Sequence, residues 1–307
     1  MCAEARRSRR DSMASPAPPV AIVGLGLVGS ALAQRLLAAG FQVAGFDLRE
    51  EARAALSAQG GLAVGSLAEL AGAATCVVLA VFNTDDVHAV VEGPDGLTSS
   101  SRLATVIDCS TGDPDALQAL AARLAARGVD FIEAPLSGSS QQIAAGEATL
   151  LLGGDAGAIA RNEAVLAAVA SRRIHVGGAG MGARAKLATN LVLGLNRAVL
   201  AEGMVFAENM GIAPEQFLAL VLASPATSGA AQAKGRMMVE GDFAPQSRIR
   251  QHLKDVKLMM ATAATSGQSL PLSQAHAALM QAAVEAGDGD LDNAGIIREL
   301  RRRKNAP

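Results

Sequence analysis

The chain has 307 residues, half of them hydrophobic and 18% charged, which suits one large or two modest packed domains and sets disorder aside. It contains seven Phe, no Tyr and no Trp, so a phenol proton donor is excluded, as is a platform of rings for single-stranded nucleic acid. A net charge of −2 gives no long-range pull on polyanions, and nucleic acid is not an expected partner.

Residues 1–18 carry Arg6, Arg7, Arg9 and Arg10 but no apolar stretch of a secretory signal. They read as a disordered leader running into Pro18 and Pro19, with Met13 as a second candidate start. No apolar run approaches the roughly 18–20 residues of a membrane span, so no membrane partner is expected. Cys2, Cys76 and Cys109 form neither a CxxC pair nor a disulfide framework, and a reducing cytoplasm is the expected location.

From Val20 onward short apolar runs alternate with helical patterns. Strands are predicted at 20–23, 42–46, 75–81, 105–107, 131–133, 149–152 and 173–176, and helices at 27–39, 50–58, 113–126 and 156–169. That alternation is the mark of a parallel sheet with crossover helices. After the glycines at 177–180 the pattern changes. An unbroken apolar helix is predicted over 183–210, buried along most of its length, followed by helices at 215–222, 227–239, 253–266, 272–286 and 291–303. Arg301–Lys304 would close the last one, where cations suit the helix dipole. The expected division is an α/β domain at 19–179 and an all-α domain at 180–304.

Gly24-Leu25-Gly26-Leu27-Val28-Gly29 fits GxGxxG, directly after the first strand and at the opening of a helix. Gly24 allows the tight turn, Gly26 lets backbone approach a pyrophosphate, and Gly29 lets the helix pack on the strand. Leu27 and Val28 open the helix, whose free N–H groups favour phosphates. Asp47, 21 residues after Gly26 at the end of the second strand, suits the ribose hydroxyls. It would repel a 2′-phosphate, which favours NAD, while Arg49 leaves NADP open.

Lys186 and Asn190 project from one face at the start of the long helix, on a domain boundary of the kind where clefts form. An ammonium there can hand a proton to a carbonyl oxygen, provided burial or a cationic neighbour lowers its pKa from about 10.4. The spacing alone favours an ordinary solvated lysine near a helix start. Asp108-Cys109-Ser110-Thr111 lies at the carboxyl end of a strand, and residues 133–139 leave another strand in a Pro/Ser/Gly loop that offers hydroxyls and N–H groups to a carboxylate. Each of these alone reads first as a turn with a helix-capping serine. His88, His175, His252 and His276 show no ligand spacing, so no metal is expected and the histidines receive no role.

As a set the motifs resemble the β-hydroxyacid dehydrogenase family, typified by 3-hydroxyisobutyrate dehydrogenase and tartronate semialdehyde reductase. GLGLVG at 24–29 resembles its cofactor fingerprint, DCSTGDP at 108–114 its DxST element and EAPLSGS at 133–139 its substrate loop. GAGMGARAKLATN at 178–190 resembles the helix with the catalytic lysine, and HLKDVKL at 252–258 the KD element. The resemblance implies a Rossmann domain, a long inter-domain helix and a helical domain that builds dimers or tetramers. It implies Lys186 as acid/base, with Asn190 beside it on the substrate. Ser110, Ser137 and Gly138 would hold a small carboxylate substrate, Thr111 would lie nearer the cofactor, and Lys254 would close on the cofactor with Asp255 positioning it.

The expected reaction is reversible hydride transfer between NAD(P) and a small 3-hydroxy acid or its semialdehyde. The alternatives are an imine or larger-aldehyde reductase, or a non-catalytic dinucleotide-binding protein. Ser139 and Gln142 stand where the family usually has glycine, which bears on the identity of the substrate.

Overall fold

The computed structural model describes residues 19–304, so the leader expected over 1–18 lies outside the described residues. The first part alternates β1 (Val20–Val23), α1 (Leu27–Ala38), β2 (Val43–Phe46), α2 (Glu50–Ala58), β3 (Leu62–Ala63), α3 (Leu67–Ala73), β4 (Cys76–Leu79) and α4 (Thr84–Glu92). It continues through β5 (Thr105–Asp108), α5 (Pro114–Ala125), β6 (Asp130–Glu133), β7 (Leu136–Ser137) and α6 (Ser140–Ala145). β8 (Thr149–Gly153), α7 (Ala156–Arg161), α8 (Glu163–Val169) and β9 (Arg172–Gly177) complete it.

All nine strands share one sheet, in the order β3-β2-β1-β4-β5-β6-β8-β7 with β9 beside β8. β1 to β6 pair in parallel; β8 runs antiparallel to β6 and β7. The central strands β1 and β4 are apolar at every position because both faces are covered. Val20 and Ile22 pack with Leu32 and Leu36 of α1, while Ala21 and Val23 face the other way, toward Leu70 of α3 and Val87 of α4. The strand order reverses between β1 and β4, and the crevice at their carboxyl ends is where such sheets bind ligands.

Helices follow: α9 (Met181–Asn209), α10 (Pro214–Leu222), α11 (Gly229–Glu240), α12 (Ile249–Thr265), α13 (Pro271–Glu285) and α14 (Ile296–Lys304). α9 links the two parts, since Ala183 joins the core under the sheet while Leu187, Leu200 and Met204 join the helical core. The expected α/β-plus-all-α architecture is therefore what forms.

Several expectations need correction. The single helix over 156–169 is two, broken at Asn162, whose side-chain Nδ2 donates to the Ala158 carbonyl and competes with the helical ladder. α3 and α4 were not predicted, although Ser66 and Asn83 cap them by accepting from Glu69 N–H and Asp86 N–H. α9 is not buried along most of its length: Val192, Val199 and Phe206 are more than half exposed. By length and composition α9 could also cross a membrane, contrary to the reading of the apolar runs, yet here it carries Lys186, Asn190 and Arg197 on a buried face. The basic run of α14 does more than suit a dipole, because Arg301 pairs with Glu208 of α9 at 2.5 Å and Arg302 with Asp288 at 2.9 Å.

Candidate active site

The glycine loop after β1 is built for close approach. Gly24 has φ +88°, and a Cβ there would fall 2.4 Å from the Ala80 carbonyl oxygen. A Cβ on Gly29 would fall 1.8 Å from the Gly24 oxygen, so α1 packs on its own entry turn. Gly26 differs: a Cβ there would meet nothing within 4 Å. No side chain caps α1, and its first turn, with Leu27 and Val28, holds no acidic residue. Unspent N–H donors facing open space are a cradle that fits a dinucleotide pyrophosphate.

Asp47, just past β2, completes this cradle. Its Oδ2 accepts from Leu25 N–H at 2.8 Å, and its Oδ1 accepts from Arg49 N–H at 2.9 Å and Arg49 Nε at 3.0 Å. Burial pushes the Asp47 pKa up, but the bonds from Arg49 and Leu25 outweigh it and hold the group below its ordinary value. The carboxylate therefore stays ionised, ready to accept from hydroxyls, with an exposed guanidinium folded on it.

The proton-handling end is set by a cap that comes from the sheet. Gly180 precedes α9 in a left-handed conformation and offers no capping side chain. Glu133, at the end of β6, supplies the acceptors: its carboxylate takes the Gly180 N–H and the Ala183 N–H, the latter at 2.8 Å. Gly153 and Gly182 leave room for it, since a Cβ on either would come within 2.7 Å of the Glu133 side chain.

α9 so anchored buries Lys186. Its Nζ donates to the Leu136 carbonyl at 2.5 Å and to Asn190 Oδ1 at 2.9 Å, and Asn190 Nδ2 donates to Asp255 Oδ2 at 3.3 Å. Burial lowers the Lys186 pKa to about 8, opposed by Asp255 and reinforced by the charges of Lys254 and Arg197. From α12, Lys254 donates to the Phe82 carbonyl at 2.8 Å and the Thr111 carbonyl at 2.7 Å, lies 5.5 Å from the centre of the Phe82 ring, and sits 3.0 Å from Asp255 Oδ1.

Ser110 is buried at the end of β5. Its N–H donates to Asp108 Oδ1 at 2.9 Å and its Oγ accepts from Val81 N–H at 3.1 Å, which fixes the hydroxyl beside the buried Asp108 carboxylate. Ser137 is half-buried and Gly138 exposed at φ +155°, in the loop whose Leu136 carbonyl holds Lys186. Ser139 and Gln142 bond each other: Ser139 Oγ accepts from Gln142 N–H and Gln142 Oε1 from Ser139 N–H, a reciprocal cap on α6.

The residues singled out from sequence thus form one connected path. Asp47 holds the glycine loop, the loop rests on Ala80, Val81 bonds Ser110, and Phe82 meets Lys254, which also holds Thr111. Asp255, Asn190, Lys186 and Leu136 continue it to Ser137 and Gly138. Sequence reasoning missed the capping role of Glu133, the placement of Phe82, and the burial of Arg197 and His252 beside this path. The one available signal was an acidic residue ending an apolar strand. Among the described residues no group of three His, Cys, Asp or Glu side chains is placed to hold a metal.

Comparison with known proteins gives a consistent picture. Residues 19–178 match the family described as the NAD binding domain of 6-phosphogluconate dehydrogenase, and residues 180–300 that described as the NAD-binding of NADP-dependent 3-hydroxyisobutyrate dehydrogenase. An L-threonate dehydrogenase of Cupriavidus necator is 32% identical over 91% of this chain and 95% of its own length. A 2-(hydroxymethyl)glutarate dehydrogenase of Eubacterium barkeri is 30% identical over 91% of this chain and 93% of its own. A 3-hydroxyisobutyrate dehydrogenase structure from Salmonella typhimurium superposes with a TM-score of 0.83 at 31% identity, covering 92% of this chain and 99% of that one.

Proposed function

The chain belongs to the β-hydroxyacid dehydrogenase family, and from there we propose that Lys186 is its acid–base and that a short hydroxy acid lies across Lys186, Asn190 and the 137–138 loop. It is an NAD(P)-dependent oxidoreductase of small hydroxy acids, a reading its relatives favour over an imine reductase. Bound NAD(P) supplies the hydride acceptor for alcohol oxidation, or the donor for the reverse. Gly26 and the start of α1 hold its pyrophosphate, and Asp47 its ribose, with NAD preferred because that carboxylate repels a 2′-phosphate. Ser110, Ser137 and the Gly138 backbone hold the substrate carboxylate.

The observation that carries the reading is a buried lysine with a pKa near 8, held between Leu136 and Asn190. As neutral amine, Lys186 takes the hydroxyl proton during oxidation. As ammonium, it returns a proton to the carbonyl oxygen during reduction. Oxidation should therefore rise with pH and level off above about 8, and reduction should fall through the same range. Lys186→Ala should lose about 10²–10⁴ in kcat and lose this pH dependence, with NADH affinity kept within a few-fold. Near-wild-type turnover by that variant would sink the assignment.

The exposed apolar side chains of α9 support a homodimer or larger homo-oligomer built on that helix. Location in a reducing cytoplasm is supported by Cys76 and Cys109, which are unpaired thiols; burial pushes the Cys76 pKa up to about 12 and that of Cys109 up as well.

A further inference from the structure

Below Lys186 and Asn190 the same face of α9 continues through Gly194 to Arg197. Arg197 is 5% exposed, and its Nη2 is buried with no hydrogen-bond partner among the described residues. Beside it His252 of α12 is also buried, with Nε2 unpartnered. The His252 ring lies where a side chain on Gly194 would go, since a Cβ there would be 2.3 Å from Nε2, and the His276 ring of α13 lies tilted against it with centres 5.4 Å apart.

The nearby carboxylates are engaged elsewhere. Asp292 takes Lys234 Nζ at 2.9 Å together with the N–H groups of Gln246 and Ser247, and Asp255 serves Asn190 and Lys254. Lys186, Lys234 and Arg197 are thus three buried cations against two buried carboxylates on this side of α9. A buried guanidinium without an acceptor costs several kcal/mol, so a site that retains one is poised for an anion. Helical side chains lean toward the N-terminus, which aims Arg197 back at Asn190 and Lys186.

We propose that Arg197, with His252, binds a second carboxylate of the substrate, so that the enzyme selects hydroxy acids that are also dicarboxylates. This rests on the reaction assigned to Lys186, whose far side it completes. The planar guanidinium can meet a carboxylate with two parallel N–H bonds, and a neutral imidazole can add a third donor. Both imidazoles are kept neutral by burial and by the Arg197 charge, with His276 lowered to about 4.

The test needs no turnover. With NADH bound, glutarate and butyrate are titrated against the fluorescence of the bound nucleotide, in wild type and in Arg197→Met and Arg197→Lys. Glutarate should bind wild type about 10- to 100-fold more tightly than butyrate, and Arg197→Met should bring that ratio near one, with Arg197→Lys between. Ligand-free Arg197→Met should melt no lower than wild type, because it removes a buried charge whose Nη2 has no hydrogen-bond partner. Equal binding of the two acids by wild type, or a large loss of melting temperature in Arg197→Met, would overturn the inference. Arg197-dependent glutarate binding without turnover of any hydroxy acid would leave this site standing and remove the proposed reaction. Turnover of monocarboxylic hydroxy acids with no glutarate preference would do the opposite.

Discussion

Glu133 touches no reacting atom, yet it fixes where Lys186 stands. Its carboxylate is the cap of α9, reaching N–H groups 47 and 50 residues further along the chain. Glu133→Ala leaves both donors buried without an acceptor, and should cost about 2–3 kcal/mol in urea unfolding. Glu133→Gln keeps one acceptor and should lose less; equal stability of all three proteins would show that the cap is idle. This residue also marks the limit of what sequence discloses. Lys186 and Asn190 were legible through the resemblance of residues 178–190 to a family motif rather than through their spacing alone, and Asp47 because it follows a glycine loop at a fixed distance. Glu133, Arg197 and His252 acquire their surroundings from elements far away in sequence, and no local pattern announces that.

Among the elements, α1 separates two kinds of glycine that the motif writes alike. A Cβ on Gly29 strikes the Gly24 backbone, whereas one on Gly26 reaches open space. Gly29→Ala should destabilise the fold by more than about 2 kcal/mol. Gly26→Ala should leave stability within about 1 kcal/mol while weakening NADH at least severalfold. If both variants unfold alike, the space above Gly26 is not a ligand cradle. Seven of the nine strands and the long helices were legible because an apolar run, or a sustained helical period, writes itself into hydrophobicity, while the two-residue β3 and β7 carry too little pattern. α3 and α4 were not, although their caps, Ser66 and Asn83, were present in the sequence. Ser139 and Gln142 depart from the family pattern together, and the structure shows why they belong together: each satisfies the N–H of the other.

The whole molecule is organised around α9, which belongs to both cores. Its hydrophobicity was read as burial inside the chain, and half of that reading failed. Val192, Val199 and Phe206 recur every seven residues, so they form one stripe, and together with Met210 they face outward. Wild-type protein should sediment as a dimer or larger, and Val199→Glu/Phe206→Glu should sediment as a smaller species with NADH still bound. A monomeric wild type would refute the oligomer. Across the cleft, Lys254 grips the Phe82 and Thr111 carbonyls from α12. Backbone oxygens are present whatever residue occupies a position, so mutation of the side chain at 111 cannot remove its half of the grip. The catch therefore outlasts any change of side chain at 82 or 111, whatever that change does to binding, and its loss falls on a single lysine codon.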